Sequence, residues 1–313
     1  SYTSTSNPGL LQTFINRTVE QLTLREFGLQ SVIQRKAGSG DACYVNQRSA
    51  PGTNASWISA SGATLAEATG SYAQRSFEYK TLATRGRVMR QLRAMGRTYG
   101  DTLAMEMASK AEDYAAEYER ALIIGDSQVT TNCINGFITM MQGSNTGGAG
   151  SELGQMVVNT AAAGAIVLAE LDEAIDRVKG SGDRSDLVII GSFKGLRCVN
   201  KVLQANQRFM EFGEVGAGFR VRTYDGIPMI VSTGMPDDLT FNSSGLLTAA
   251  SGGAQTALMI LNLRHNYVSE LTPMTVEPLA KTSTTFDDIE MYSDWAAVWG
   301  NTLGGAMLVG ITF

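Results

Sequence analysis

Residues 99–126 read YGDTLAMEMASKAEDYAAEYERALIIGD, and this stretch decides the fold. Leu103, Met107, Ala111, Tyr114, Tyr118 and Leu122 recur at spacings of four, four, three, four and four, one continuous apolar stripe at helical period. Glu106, Lys110, Asp113, Glu117 and Arg120 run beside it as a charged stripe. Asp101 fits an N-cap, and Gly125 fits a left-handed stop after the last turn. The spacing predicts one helix over about 99–124, roughly 37 Å long at 1.5 Å per residue. A rod with one apolar face, one charged face and no catalytic group reads as a strut.

On its N-terminal side, Arg90, Arg93 and Arg97 share one helical face, with Arg85 and Arg87 just before. That face can be solvated, can pair with carboxylates of a neighbouring subunit, or can touch nucleic-acid phosphates, for which three arginines are a thin footprint. Residues 38–85 form a polar ribbon rich in Ser, Ala, Gly and Thr, with Gly38-Ser39-Gly40 at its start. Its end, Arg75 to Ala83, alternates at period two and predicts a strand. The middle lacks the large apolar groups needed for a core of its own, so the ribbon is either disordered or laid on a neighbour. Residues 8–35 carry Leu10, Leu11, Phe14, Ile15, Val19, Leu22, Leu24, Phe27, Val32 and Ile33 in broken periodicity. They predict an arm with one or two short helices whose apolar groups seek a surface elsewhere.

Downstream, Gly143 to Gly150 is a linker signal, and residues 160–282 read as an α/β unit. Leu168, Leu171, Ile175 and Val178 predict a helix closed by Gly180; Asp186 to Gly191 predicts a buried strand, and a helix follows over Phe193 to Asn206. Arg220 to Tyr224 and Ile227 to Ser232 flank Asp225-Gly226 as a hairpin. Thr256 to Leu263 is another buried strand, and Leu271 to Leu279 is extended, with prolines confining it to a sheet edge. Asp288 to Trp299 and Gly305 to Phe313 are two closing strands.

The 313 residues suffice for one large or two ordinary domains. Charged residues make up only 18%, against roughly a quarter in average soluble proteins, which suits a chain that hides much surface against partners. A net charge of −5 argues against a protein built to grip nucleic acid. Cys43, Cys133 and Cys198 are odd in number and far apart, so neither a disulfide framework nor a structural zinc site is expected. No apolar run approaches ~20 residues, so no membrane span is expected. Ser1 in place of a methionine fits either methionine removal or a cut from a longer precursor.

Catalytic signals are missing. His265 is the one histidine, and it lacks triad partners at any recognisable spacing. Gly213-x-x-Gly216-x-Gly218 is glycine-rich, but a phosphate cradle needs a strand before it and a helix after it; here no strand is expected before it, and a strand, not a helix, follows. The acidic pairs Asp237-Asp238 and Asp287-Asp288 carry the donors of a hard cation, yet adjacent loop carboxylates are usually solvated. No enzyme activity, cofactor or metal is expected.

In order along the chain, these parts resemble one family, the tailed-bacteriophage major capsid proteins of the Hong Kong 97 fold. Val19 to Lys36 resembles that family's N-terminal arm. Gly40 to Val88, with Ala55-Ser56-Trp57-Ile58 and Phe77 to Ala83, resembles its extended E-loop. Thr98 to Ile124 is similar to its spine helix, and Ala121 to Asp126 with Asn135-Gly136-Phe137 is similar to the exit from it. Asp186 to Ser192, Tyr224 to Val231 and Ala306 to Phe313 are similar to later strands. The resemblance implies an α+β fold divided into an arm (1–37), an E-loop (38–88), a peripheral domain (89–159 and 283–313) and an axial domain (160–282). It implies a homo-oligomer of pentamers and hexamers forming an icosahedral shell, assembled in the host cytoplasm and found in the virion. Double-stranded DNA would lie non-specifically on the inner face, and scaffolding, portal and cement proteins would be further partners. Trp57, Phe77, Tyr79, Arg90, Arg93, Arg97, Glu106, Asp113 and Glu117 are the expected subunit-interface residues. Some relatives join subunits through an E-loop lysine and a peripheral-domain asparagine. No lysine lies between Lys36 and Lys80, and no matching asparagine lies near Asp288 to Glu290, so a non-covalent shell is expected. The alternative is an encapsulin-type nanocompartment shell.

Overall fold

A computed structural model describes residues 26–50, 70–91, 94, 102–142, 155–178, 186–205, 211–215, 219–280 and 285–313. The expected helix runs over Thr102–Ile124 (α2), roughly 34 Å. Asp101, the expected cap, lies outside the described residues. Tyr114, Tyr118 and Leu122 are buried, while Leu103, Met107 and Ala111 toward the start are half-buried.

Gly125 differs from the expectation, because it is not among the residues with positive φ. Its role is close approach: a Cβ there would sit 2.5 Å from the Ala121 carbonyl oxygen and 2.6 Å from that of Ile134. The chain folds back against the helix end, and the Gly136 N–H donates to the Gly125 carbonyl at 2.8 Å. Helix Phe137–Gln142 (α3) follows and sends Phe137, Ile138 and Met141 into the core.

Two sheets organise the rest. A four-stranded sheet has the order β1-β13-β14-β4, from Gln34–Ala37 (β1), Lys80–Met89 (β4), Asn266–Pro278 (β13) and Phe286–Trp299 (β14). The helix α2 packs on it: the Tyr118 ring lies 4.1 Å from that of Trp295, and the Tyr114 hydroxyl is bonded to that of Ser293. β1 pairs only with Tyr267 to Glu270. Beyond that point β13 has no partner on that side among the described residues, and this stretch holds Pro273 and Pro278, as their missing N–H groups require.

The second sheet has seven strands in the order β5-β15-β12-β6-β9-β8-β7. They are Met156–Val158 (β5), Leu187–Gly191 (β6), Glu211–Val215 (β7), Phe219–Tyr224 (β8), Ile227–Val231 (β9), Gln255–Asn262 (β12) and Gly305–Thr312 (β15), while Thr240–Phe241 (β10) and Leu247–Ala249 (β11) pair separately. Successive side chains of β6 and β12 enter different cores. Ile189, Leu258 and Ile260 join Leu171, Ile175, Leu196 and Val199 of helices Leu168–Arg177 (α4) and Phe193–Ala205 (α5). Val188, Ile190, Met259 and Leu261 join Tyr118, Phe137 and Trp299 on the other face. Burial on both faces explains why these strands are uninterrupted apolar runs rather than alternating ones. The expected hairpin forms, with Asp225 at φ 50° and Gly226 at φ 78°, the two positive values that a tight primed turn needs. Gly180 lies outside the described residues.

Gly305–Thr312 does not join the sheet that holds β14; it lies between β5 and β12. The stretch 283–313, expected as part of one peripheral unit, is therefore split between two sheets. Its last strand is apolar on both sides (Ala306, Met307, Leu308, Val309), and only a site covered on both faces buries such a strand.

Candidate assembly interface

The ribbon folds as a hairpin of Ala42–Ala50 (β2) and Ser71–Glu78 (β3), in the register Cys43↔Phe77 and Val45↔Arg75. Period-two alternation puts Cys43, Val45, Gln47 and Phe77 on one face, and that face lies on this chain's own body. Gln47 donates to the Gly300 carbonyl at 2.7 Å, Cys43 Sγ sits 3.8 Å from the Tyr267 hydroxyl, and Phe77 packs against the core. The two described legs of the ribbon are thus ordered by their own chain rather than by a neighbour; residues 51–69, the middle for which disorder or a neighbouring surface was expected, lie outside the described residues. The opposite face presents Tyr44 and Tyr72, 53% and 73% exposed. Trp57 lies outside the described residues.

Tyr79 links β3 to β4, and its hydroxyl bonds Ser269 at 2.9 Å. It also covers Gly38, where a Cβ would be 2.3 Å from the Tyr79 oxygen. Both hairpin legs therefore leave the body at one packed point. Just beyond, Asp288 on β14 is clamped by Arg85 and Arg87 of β4. The two guanidiniums hold its carboxyl at about 2, below the ordinary 3.8. Asp288 is spoken for as an ion-pair partner, and Asp237 likewise meets Lys194 at 3.5 Å; neither acidic pair forms a metal cluster among the described residues.

The charged stripe of α2 is paired largely along its own helix, with Lys110 and Asp113 3.6 Å apart and Arg120 and Glu117 3.9 Å apart. Glu106 lies against Gly86 of β4, where a Cβ would be 3.4 Å from its Cγ. Arg90 is exposed, and its main-chain N–H donates to Thr285 at 2.8 Å. Arg93 and Arg97 lie outside the described residues. His265 stands in the turn between β12 and β13. Gly213 lies in a strand paired antiparallel to β8; a strand precedes the glycines after all, but no helix follows to make an anion site.

Sequence reasoning missed Glu119. It is 0% exposed on α2 and receives the arm's short helix Gly28–Val32 (α1). The Leu29 N–H donates to its Oε1 at 2.8 Å, the Gln30 N–H to its Oε2 at 2.9 Å and the Ser232 hydroxyl to its Oε1 at 2.7 Å. Burial raises its pKa, and these donors oppose the rise. The signal was its place three residues before Leu122, on the flank of the apolar stripe. Of the arm's apolar groups expected to seek a surface elsewhere, Ile33 is buried with Leu29 in this chain's own core, whereas Leu10 to Leu24 lie outside the described residues.

No family profile matches the sequence, and no curated protein is significantly similar to it. Solved structures are similar over the whole chain. The cyanophage A-1(L) capsid asymmetric unit matches with a TM-score of 0.72 at 13% identity, covering 100% of both chains. The capsid of the native GTA particle matches with a TM-score of 0.70 at 14% identity, covering 99% of each. The holo-SrpI encapsulin complex of Synechococcus elongatus PCC 7942 matches with a TM-score of 0.68 at 14% identity, covering 100% of this chain and 96% of that one. The chain has the α+β fold of these shell proteins, the Hong Kong 97 fold.

Proposed function

We propose that this chain is the major subunit of a self-assembled capsid, built from pentamers and hexamers around double-stranded DNA, and that it has no catalytic role. The observation that carries the reading is full-length likeness in fold to chains of assembled capsids. Low charge content supports it, since the cores of permanent interfaces are depleted in charge. In this reading residues 160–282 with Gly305–Thr312 surround each capsomer axis, and the hairpin tip reaches a neighbour from a base fixed on its own body. The expected interface residues Phe77 and Tyr79 then act by aiming that tip. The shell is non-covalent and closed by symmetry.

Electron microscopy and gel filtration of the purified protein test this: spherical megadalton particles are expected, and a species of tens of kilodaltons would overturn it. Particles boiled in detergent should run as one band at 33.4 kDa; a ladder of multiples would refute the non-covalent shell. The encapsulin likeness supports a second reading, a nanocompartment. Nucleic acid extracted from nuclease-treated particles supports the capsid, and a co-purifying enzyme in its place supports the compartment.

A further inference from the structure

Glu119 joins three elements that are far apart in sequence. Its carboxylate takes two main-chain N–H groups of the arm and the Ser232 hydroxyl from the loop after β9. The same loop grips the arm directly: the Thr233 N–H donates to the Glu26 carbonyl at 2.9 Å, and the Glu26 N–H donates to Thr233 Oγ1 at 3.2 Å. Gly234 is pressed on the joint, since a Cβ there would lie 2.6 Å from the Glu119 Cγ. Glu26, Phe27 and Gly28 also form one wall of an open cleft of ≈ 930 Å³. Residues 26–28 of the arm thus have open space on one side, while Leu29 and Ile33 are set in the core, so releasing the arm means withdrawing those two side chains.

All three of these donors to Glu119 are neutral. Arg35, just after the arm's helix, is paired with Glu270 at 3.2 Å and lies over the Tyr118 ring. Around the joint the other titratable groups are Glu26 on the arm, Tyr118 and Arg120 on α2, and Arg197 and Arg222 across the cleft; residues 232–235 contribute none. Among the described residues the buried carboxylate is thus stabilised by hydrogen bonds alone, and burial disfavours its charge.

We propose that Glu119 is a proton-sensitive latch that fastens the N-terminal arm to the body at acid pH and loosens it as the pH rises. The latch works whether the assembled particle is a capsid or a compartment. With the arm docked, the carboxyl sits in a dry site and its pKa is raised; with the arm lifted, it faces water at an ordinary value. Docking therefore takes up a proton. The gain is complete below the ordinary carboxylate pKa and fades as the pH climbs through the raised one. Each unit of difference changes the docking constant about tenfold.

Hydrogen exchange of the full-length chain between pH 5 and pH 8, corrected for intrinsic rates, tests this. Protection of the amides of residues 29 and 30 should fall with rising pH relative to that of β6, and Glu119→Gln should abolish that dependence. Ser232→Ala removes a donor that favours the charged form, so it should move the midpoint to higher pH; unchanged β6 protection shows that either variant is folded. Wild-type protection at 29–30 that tracks β6 throughout overturns the latch. So does an unchanged profile in Glu119→Gln, or a Ser232→Ala midpoint that stays put or falls. None of these results bears on whether the protein forms a shell.

Discussion

Gly125 distinguishes two reasons for a glycine at a helix end. Were it a left-handed stop, Asn would replace it at little cost and Ala would cost about 1–2 kcal/mol. The structure instead places two carbonyl oxygens, of Ala121 and Ile134, 2.5 Å and 2.6 Å from where a Cβ would be. A comfortable carbon–oxygen contact is about 3.3 Å, so the backbones around residues 125 and 134 must part by about 0.7–0.8 Å. Forcing a buried, packed site open costs about 1–3 kcal/mol. Losing the bond from the Gly136 N–H to the Gly125 carbonyl adds about 1 kcal/mol. Gly125→Ala and Gly125→Asn should therefore both lose about 2–4 kcal/mol, which in a chain of this size lowers Tm by roughly 4–16 °C. Urea unfolding followed by tryptophan fluorescence reads this directly, because Trp299 packs 5.8 Å from Phe137 just past the junction. A Gly125→Asn variant within about 0.5 kcal/mol of wild type would refute the close-approach account.

Two more outcomes follow from the hairpin and its clamp. Arg87 and Arg85 depress Asp288 to about 2 from 3.8, so its contribution is complete above the ordinary value and is lost as the pH falls from 3.8 toward 2. Asp288→Asn should flatten that limb of an acid-unfolding curve, and a limb as steep as wild type would count against the clamp. Phe77→Ala removes the half-buried ring that seats the hairpin, a loss of about 2 kcal/mol. Amides of 42–47 and 71–78 should then exchange roughly tenfold to thirtyfold faster, with β6 unchanged; unaltered exchange would show that the hairpin is held by other contacts.

Elements whose apolar pattern answers to one local surface were legible in the sequence. The spacing from Leu103 to Leu122 could only be a helix, the run Leu187 to Gly191 only a covered strand, and Asp225-Gly226 only a tight turn. What escaped were choices made by tertiary approach. Gly125 has the same letter whether it turns left-handed or admits a carbonyl, and only the return of Ile134 decides. Gly305–Thr312 shows no preference between two sheets until β12 offers it a partner. The return leg with Phe77 was legible from its alternation, but the outgoing leg was judged on composition, which hid the alternation that lays Cys43 and Gln47 on the body. Glu119 was overlooked because a carboxylate beside a charged stripe looks solvated, although residue 119 lies nearer to Leu122 than to that stripe around the helix.

Under the proposed function, the margin of β13 is a candidate contact of the shell, and its energy can be worked out. Leu271, Met274 and Val276 are 43%, 46% and 40% exposed, in a stretch paired with β14 on one side and with no strand on the other among the described residues. Strand addition is blocked there: Pro273 and Pro278 offer no N–H, and the pairing with β14 shifts register twice between Glu270 and Thr275. Large apolar side chains on a blunted edge suit side-chain packing rather than a shared sheet. Alongside runs a groove of ≈ 390 Å³ in which Val276 faces Leu103 and Met107 of α2. Burying what remains exposed of three such side chains recovers only about 1 kcal/mol each. The sum of about 3 kcal/mol falls short of the roughly 4.1 kcal/mol of a millimolar association, too little to hold a dimer together. Repetition across a closed symmetric assembly changes the outcome, because each added subunit makes several such contacts at once while losing its freedom only once. Contacts that are individually weak also let misplaced subunits leave before closure, and this is the condition under which a large shell assembles without trapped errors.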